Sequence, residues 1–203
     1  IVEKIGNRYQ VFLNDTGMPR LRLSRSYQEI ARDKKKMTPE NREFIVAQVT
    51  EERADLGVAY DGDADRCFFV DDEGEFVPGD FVTALLAEAM LSKSSAEGEK
   101  VIYDVRASWA VPQTIERFGG TPLVNRVGHA FIKQRMRAEN AIFGGEVTGH
   151  YYFRDNFYAD NGFIPALLIL ELMSKKGQAL HQLLEPLRAR YFISGEINTK
   201  VQS

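Results

Sequence analysis

Three aspartates at alternate positions, Asp61, Asp63 and Asp65, are followed at once by Arg66 and lie between two apolar runs, ADLGVAY (54–60) and CFFV (67–70). Carboxylates this close repel one another, so the cluster is unfavourable unless a cation or an arginine neutralises it. Oxygen donors without histidine or thiolate suit Mg²⁺ or Ca²⁺ rather than zinc. The D-x-D-x-D spacing also opens a calcium-binding EF-hand loop, but Arg66 stands sixth where that loop needs glycine, and Asp72 stands twelfth where it needs glutamate. The flanks read as strands rather than helices. A Mg²⁺ held by Asp61, Asp63 and Asp65 is therefore favoured over a solvated acidic turn. Arg66 can offer its planar fork to the same phosphate oxygen that the metal attracts.

A second run, Gly144-Gly145-Glu146-Val147-Thr148-Gly149-His150, follows the apolar AIF (141–143). Glycines allow a sharp turn at a strand end, and Glu146, Thr148 and His150 bring an acceptor, a hydroxyl and a donor suited to a polyhydroxyl ligand. The competing reading is a loop whose polar residues only cap helices. Arg106 follows VIYDV (101–105), and Gly128-His129 with Lys133 follows TPLVN (121–125), so three cationic or titratable groups fall at one expected sheet edge, where a phosphate fits. His129 can also be a helix-start residue with no chemical role, and Lys133, Arg135 and Arg137 can be a solvated helix face. Trp109, Tyr151 to Phe153 and Phe157-Tyr158 read as core or rim packing.

The elements that must carry these groups alternate. From about residue 54 onward, short strand-type runs and helix-type runs follow one another in a βαβα pattern, which predicts a mostly parallel sheet covered by helices on both faces. Helices are expected over 81–92, with Val82, Leu85, Leu86 and Ala89 on one buried face, then over 108–118 with Ser108 as cap, 130–138, 161–175 and 179–190. The first 50 residues differ. EKIGNRYQVFLNDTG reads as an antiparallel hairpin with turns at Gly6-Asn7 and Asn14-Asp15-Thr16-Gly17, and Arg20 to Lys36 is basic. Thr38-Pro39 opens a helix to about Glu52 that should bury Phe44, Ile45 and Val49.

Composition bounds what such a chain can be. It has 203 residues, 44% hydrophobic and 27% charged, which excludes collagen-like, mucin-like and wholly disordered material. A net charge of −3 offers no general basic surface for nucleic acid or anionic lipid. The longest apolar run, Phe163 to Leu170, contains Pro165 and is far short of the roughly 20 residues that cross a bilayer, so no membrane is expected. A lone Cys67 and the lack of a leader pattern point to the cytoplasm.

Taken in order, ADLGVAYDGDADR, TPLVNRVGHAFIK, FGGEVTGHYYFRD and the closing YFISGEIN resemble the α-D-phosphohexomutases, the bacterial phosphomannomutase/phosphoglucomutase family, over about residues 47–203. The resemblance implies interconversion of hexose 6-phosphate and hexose 1-phosphate through a phosphoserine and a bisphosphorylated sugar. By it, Asp61, Asp63 and Asp65 hold the Mg²⁺ and Arg66 assists at the phosphoserine. Glu146, Thr148 and His150 fall on the sugar-binding loop, where Thr148 stands in place of the serine of many relatives. Arg106, His129 and Lys133 line the cleft, His129 and Arg66 being the catalytic pair. The implied division is the end of domain 2 with the metal loop (47–76), domain 3 (77–190) and the start of domain 4 (191–203), after an N-terminal segment (1–46).

The chain has no T-x-S-H-N-P-type serine run and no R-x-S-G/N-T-E-P-type phosphate run, so these 203 residues alone are expected to be inactive. Residues 1–36 instead resemble the core-binding region of the enhancer-dependent (nitrogen-type) bacterial sigma factor, around the run Asn14 to Arg22. The expected partner is a hexose phosphate. A non-catalytic chimeric scaffold, or an adaptor that binds RNA polymerase through the basic N-terminal stretch, is the alternative.

Overall fold

A computed structural model of the chain describes residues 39–192 and three earlier strands, β1 (Val2–Ile5), β2 (Arg8–Val11) and β3 (Leu21–Leu23). β1 and β2 pair antiparallel, Val2 opposite Val11 and Ile5 opposite Arg8, and β3 extends the sheet. The expected turns at Gly6-Asn7 and 14–17, the basic stretch apart from β3, Thr38 and the closing 193–203 lie outside the described residues.

Helix α1 (Pro39–Glu52) lies against a small antiparallel sheet of β4 (Leu56–Tyr60), β5 (Cys67–Asp71) and β6 (Phe76–Val77). Val49 is buried as expected and Ile45 is half-buried, but Phe44 is 42% exposed and not buried as expected. The βαβα expectation from residue 54 also needs correcting at its start. β4 and β5 form a hairpin with Tyr60 opposite Cys67, because the link 61–66 is too short for the crossover that a parallel pair requires.

The larger sheet has the order β11-β10-β9-β7-β8. β7 (Lys100–Asp104) runs parallel to both β8 (Thr121–Asn125) and β9 (Phe143–Gly145). β10 (Tyr151–Phe153) and β11 (Ala159–Asp160) extend it antiparallel. Strand alternation along β7 divides the core. Val101 faces the large cluster with Leu86, Ile115 and Phe143, while Ile102 faces the opposite cluster of Ile132, Met136 and Tyr152. Helices α2 (Gly79–Leu91) and α3 (Ala110–Arg117) therefore cover one face and α4 (His129–Glu139) the other, as the sequence predicts.

Helix α2 is buried on nearly every side, not on the one face its periodicity suggests. Asp80, Thr83, Ala84, Ala87 and Glu88 are all covered. It lies between the large sheet and α5 (Phe163–Lys176), whose Ala166, Ile169 and Met173 join the same core with Leu180 and Leu184 of α6 (Leu180–Arg190). Truncating a central side chain such as Leu86 to alanine removes about 2–5 kcal/mol of stability. No helix among the described residues is long and apolar enough to cross a membrane.

Gly144 and Gly145 lie in β9, not in a loop as expected. A Cβ on Gly144 would stand 2.9 Å from Met136 Sδ, and one on Gly145 would stand 2.6 Å from Thr83. These glycines let α4 and α2 approach the strand from opposite faces. The turn itself starts at Glu146.

Candidate functional site

The hairpin register fixes the carboxylate turn, since Tyr60 and Cys67 close it and Asp61 to Arg66 are what remains. Ala64 takes a left-handed φ of 60° at its apex, donates its N–H to Asp61 O at 3.2 Å, and accepts from Gly162 N–H at 3.0 Å. One oxygen from each of Asp61, Asp63 and Asp65 lies within 4.8 Å of the others. Arg66 donates Nε–H to Asp61 Oδ2 at 2.6 Å and its main-chain N–H to Asp61 Oδ1 at 3.2 Å. Asp65 Oδ1 is buried with no hydrogen-bond partner. An orphaned carboxylate oxygen beside two more carboxylates is a donor set that fits a hard divalent cation such as magnesium.

The electrostatics of the turn are asymmetric. Burial pushes the Asp61 carboxyl up, but the hydrogen bonds and charge of Arg66 outweigh it and hold Asp61 below the usual range. Burial pushes Asp65 up, and the charges of Asp61 and Asp63 add to this while His150 opposes it. Arg66 thus serves Asp61 at 2.6 Å and stands 3.9 Å from Asp65 Oδ1, so Asp65 receives the weaker share of its charge.

The run after β9 folds back on itself. Glu146 is 3% exposed, its N–H donates to His150 O at 2.9 Å, and its carbonyl accepts from Gly149 N–H at 3.1 Å. Tyr152 O–H donates to Glu146 Oε1 at 2.9 Å and Thr148 O–H to Oε2 at 3.1 Å. The hydroxyl of Thr148 and the carboxylate of Glu146 therefore form one unit, and burial together with the Glu146 charge pushes the Tyr152 phenol far up. The run meets the carboxylate turn directly, through an antiparallel bridge between Arg66 and His150.

Arg106 sits beyond the end of β7, where Asp104, fully buried, accepts from its N–H at 2.8 Å, its Nε at 3.1 Å and its Nη2 at 3.0 Å. The second oxygen of Asp104 also accepts from Val147 N–H at 2.8 Å. One buried carboxylate thus ties Arg106 to the loop carrying Glu146, Thr148 and His150. The loop is pressed close to α2 as well, since a Cβ on Gly79 would stand 2.3 Å from Val147 O.

Lys133 Nζ, on α4, is 2.7 Å from Asp160 Oδ1, and His150 Nδ1 is 3.1 Å from Asp160 Oδ2 and 3.9 Å from Asp65. His129 is exposed at the first residue of α4 and has no hydrogen bond or ion pair with the other candidates among the described residues. Because β7, β8 and β9 are parallel, their carboxyl ends bring Arg106, His129 with Lys133, and Glu146 to one edge, as expected. Sequence reasoning missed Asp104, Tyr152 and Asp160. Asp104 had a signal, a carboxylate closing a strand two residues before Arg106. Asp160 had a weaker one, its place in a Tyr-Ala-Asp-Asn-Gly break between apolar runs. Of the expected packing aromatics, Tyr151 to Phe153 are buried, whereas Trp109 is 73% exposed and Phe157 85% exposed on the surface.

Comparison with known proteins gives one consistent result. The family model described as phosphoglucomutase/phosphomannomutase, alpha/beta/alpha domain III, matches residues 78–191. A protein described as phosphohexose mutases from Xanthomonas campestris pv. campestris (strain ATCC 33913) is 48% identical over 165 residues, covering 81% of this chain and 36% of the relative. A phosphomannomutase of Salmonella montevideo is 47% identical over 165 residues, with the same shares covered. The crystal structure of a phosphoglucomutase/phosphomannomutase family protein from Burkholderia thailandensis superposes with a TM-score of 0.68 at 31% identity, covering 73% of this chain and 32% of that one. The chain spans about a third of the length of these relatives.

Proposed function

Because the chain belongs to the phosphoglucomutase/phosphomannomutase family, we propose that it supplies the metal- and sugar-binding part of a phosphohexomutase, which interconverts hexose 6-phosphate and hexose 1-phosphate through a phosphoserine and a bisphosphorylated sugar. The observation that carries this reading is the bridge between Arg66 and His150, which sets a three-carboxylate turn with an orphaned Asp65 oxygen against a loop bearing Glu146 and Thr148.

Asp61, Asp63 and Asp65 would hold Mg²⁺, which when bound supplies Lewis-acid stabilisation of phosphoryl oxygens. The rest is positioning and electrostatics by the chain's own groups. Arg66, tethered to Asp61, directs positive charge to the phosphoryl group at the metal, and His129 stands exposed at the same sheet edge as the second catalytic candidate. Arg106 and Lys133 meet the phosphate of the hexose phosphate. Glu146, Thr148 and His150 meet hydroxyls, and since several hexoses share these, the reading is of a class and not of one sugar.

In this reading residues 47–76 close domain 2, 77–190 form domain 3 and 191–203 open domain 4, with 1–46 as a separate segment. The 203 residues contain neither the serine run nor the phosphate run, so by themselves they bind and do not turn over. The setting is cytosolic, which a single buried cysteine, Cys67, supports. The polymerase-adaptor alternative rests on residues 1–36, of which the structure describes only three strands, and carries no part of the proposal.

The test is a titration of the ¹⁵N-labelled chain with mannose 1-phosphate in the presence of Mg²⁺. The amides of Asp61 to Arg66, Arg106 and Glu146 to His150 are expected to shift together. Shifts scattered elsewhere, or none, overturn the site, and mutase turnover by the purified chain overturns its predicted inactivity.

A further inference from the structure

We propose that Asp160 is a positioning residue of the hexose-phosphate site, a single carboxylate that fixes the Lys133 ammonium and the His150 imidazole relative to each other and sets which nitrogen of His150 is left for a ligand. It rests on the reading of Lys133 and His150 as substrate contacts.

The geometry comes from three elements. β11 pairs with β10 so that Asp160 lies opposite Tyr152, α4 brings in Lys133, and His150 immediately precedes β10. Asp160 places one oxygen on each partner, Oδ1 at 2.7 Å from Lys133 Nζ and Oδ2 at 3.1 Å from His150 Nδ1. Its own side chain is 11% exposed, less than either partner, so it is the inner member of the group. Lys133 Nζ also lies 5.5 Å from the centroid of the Tyr152 ring, and Tyr152 donates to Glu146. The charge, the imidazole and the Glu146–Thr148 pair thus share one scaffold around Tyr152.

An ionised carboxylate can only accept, so the imidazole nitrogen facing Asp160 must carry the proton. His150 is then the Nδ1–H tautomer, with Nε2 as the acceptor free for a sugar hydroxyl. Burial alone would push the Asp160 carboxyl up, but the Lys133 hydrogen bond, a main-chain hydrogen bond and the Lys133 charge hold it below the ordinary range, which keeps it ionised while the imidazole is neutral. Asp65 is the other carboxylate near the ring, at 3.9 Å and beyond hydrogen-bond reach.

The chain has three histidines, which makes tautomers readable one by one by long-range ¹H–¹⁵N correlation on ¹⁵N-histidine-labelled protein, above the pH where imidazoles titrate. His150 is expected as Nδ1–H in the wild-type chain and as predominantly Nε2–H in Asp160→Ala. His181, whose Nδ1 is 2.6 Å from Asp72, serves as an internal control that must not change. In parallel, affinity for mannose 6-phosphate should fall about tenfold in Asp160→Ala, and Lys133→Ala added to it should cost less than Lys133→Ala alone. An Nε2–H tautomer in the wild-type chain overturns the proposal even if the variant does not fold. So does an unchanged tautomer in folded Asp160→Ala. An Nδ1–H wild-type chain that binds no sugar phosphate overturns the functional reading and, with it, the substrate-positioning role, while leaving the tautomer assignment standing.

Discussion

Arg66 and His150 face each other across an isolated antiparallel bridge, and beside it Cys67 N–H donates to Gly149 O at 3.2 Å. Two loops from different sheets are thereby joined main chain to main chain. Their separation is set by peptide geometry, which varies less than long side chains would allow.

The carboxylate turn should bind a divalent cation through Asp63 without depending on it for folding, because Asp63 is exposed whereas Asp61 is the residue held by Arg66. Asp63→Asn is expected to weaken Mg²⁺ binding by about tenfold or more while leaving the unfolding midpoint nearly unchanged. Calorimetric titration checks the first and urea unfolding the second. Equal affinity in both proteins would remove Asp63 from the ligand set.

Asp104 should matter more to the loop than its position in a strand suggests. Asp104→Ala leaves Val147 N–H without this acceptor and removes the Asp104 hydrogen bonds of Arg106, which predicts a loss of about 2 kcal/mol. Amide exchange at Val147 should quicken along with it. Urea unfolding combined with hydrogen exchange reads both, and unchanged protection at Val147 would mean that the loop is held by other contacts.

Gly79→Ala forces a Cβ against the Val147 carbonyl, a backbone group that cannot rotate away. The expected cost is about 1–3 kcal/mol, with amide shifts concentrated over 146–150. Gly62→Ala has open space at its Cβ and is the matched control, expected within about 0.5 kcal/mol of the parent.

His181 ties α6 to the small sheet through Asp72, and this link should depend on pH. The Asp72 hydrogen bond raises the His181 pKa above its ordinary 6.5, against the effect of burial and with help from the charges of Asp72, Glu73 and Asp71. A group held protonated in the fold contributes fully below its unfolded value, and the contribution is lost as pH rises through the raised one. The unfolding midpoint of wild type should exceed that of His181→Asn most in acid, and the gap should narrow above pH 6.5. A gap that widens with pH would reverse the assignment.

Much of this was written in local sequence. Asp61 to Arg66 announce their chemistry because repulsion among neighbours in the chain needs no tertiary knowledge, and the parallel strands around Lys100 to Gly145 follow from alternating periods. What escaped depends on contacts distant in sequence. Asp104 meets Val147, 43 residues on, and Asp160 meets Lys133 from another element. Gly144 and Gly145 looked like a turn because a strand pressed by helices on both faces and a sharp bend call for the same small residue. The full burial of α2 was hidden because its second covering, α5, lies some 80 residues away.

The guanidinium seated on Asp61 gives the acidic turn a counterion of its own, covalently attached and always present. Such a turn need not collapse or splay when ions are scarce. An incoming divalent ion would then meet a ready-shaped cradle and compete with a tethered rival, so occupancy would be governed by exchange between cations and not by refolding of the bend.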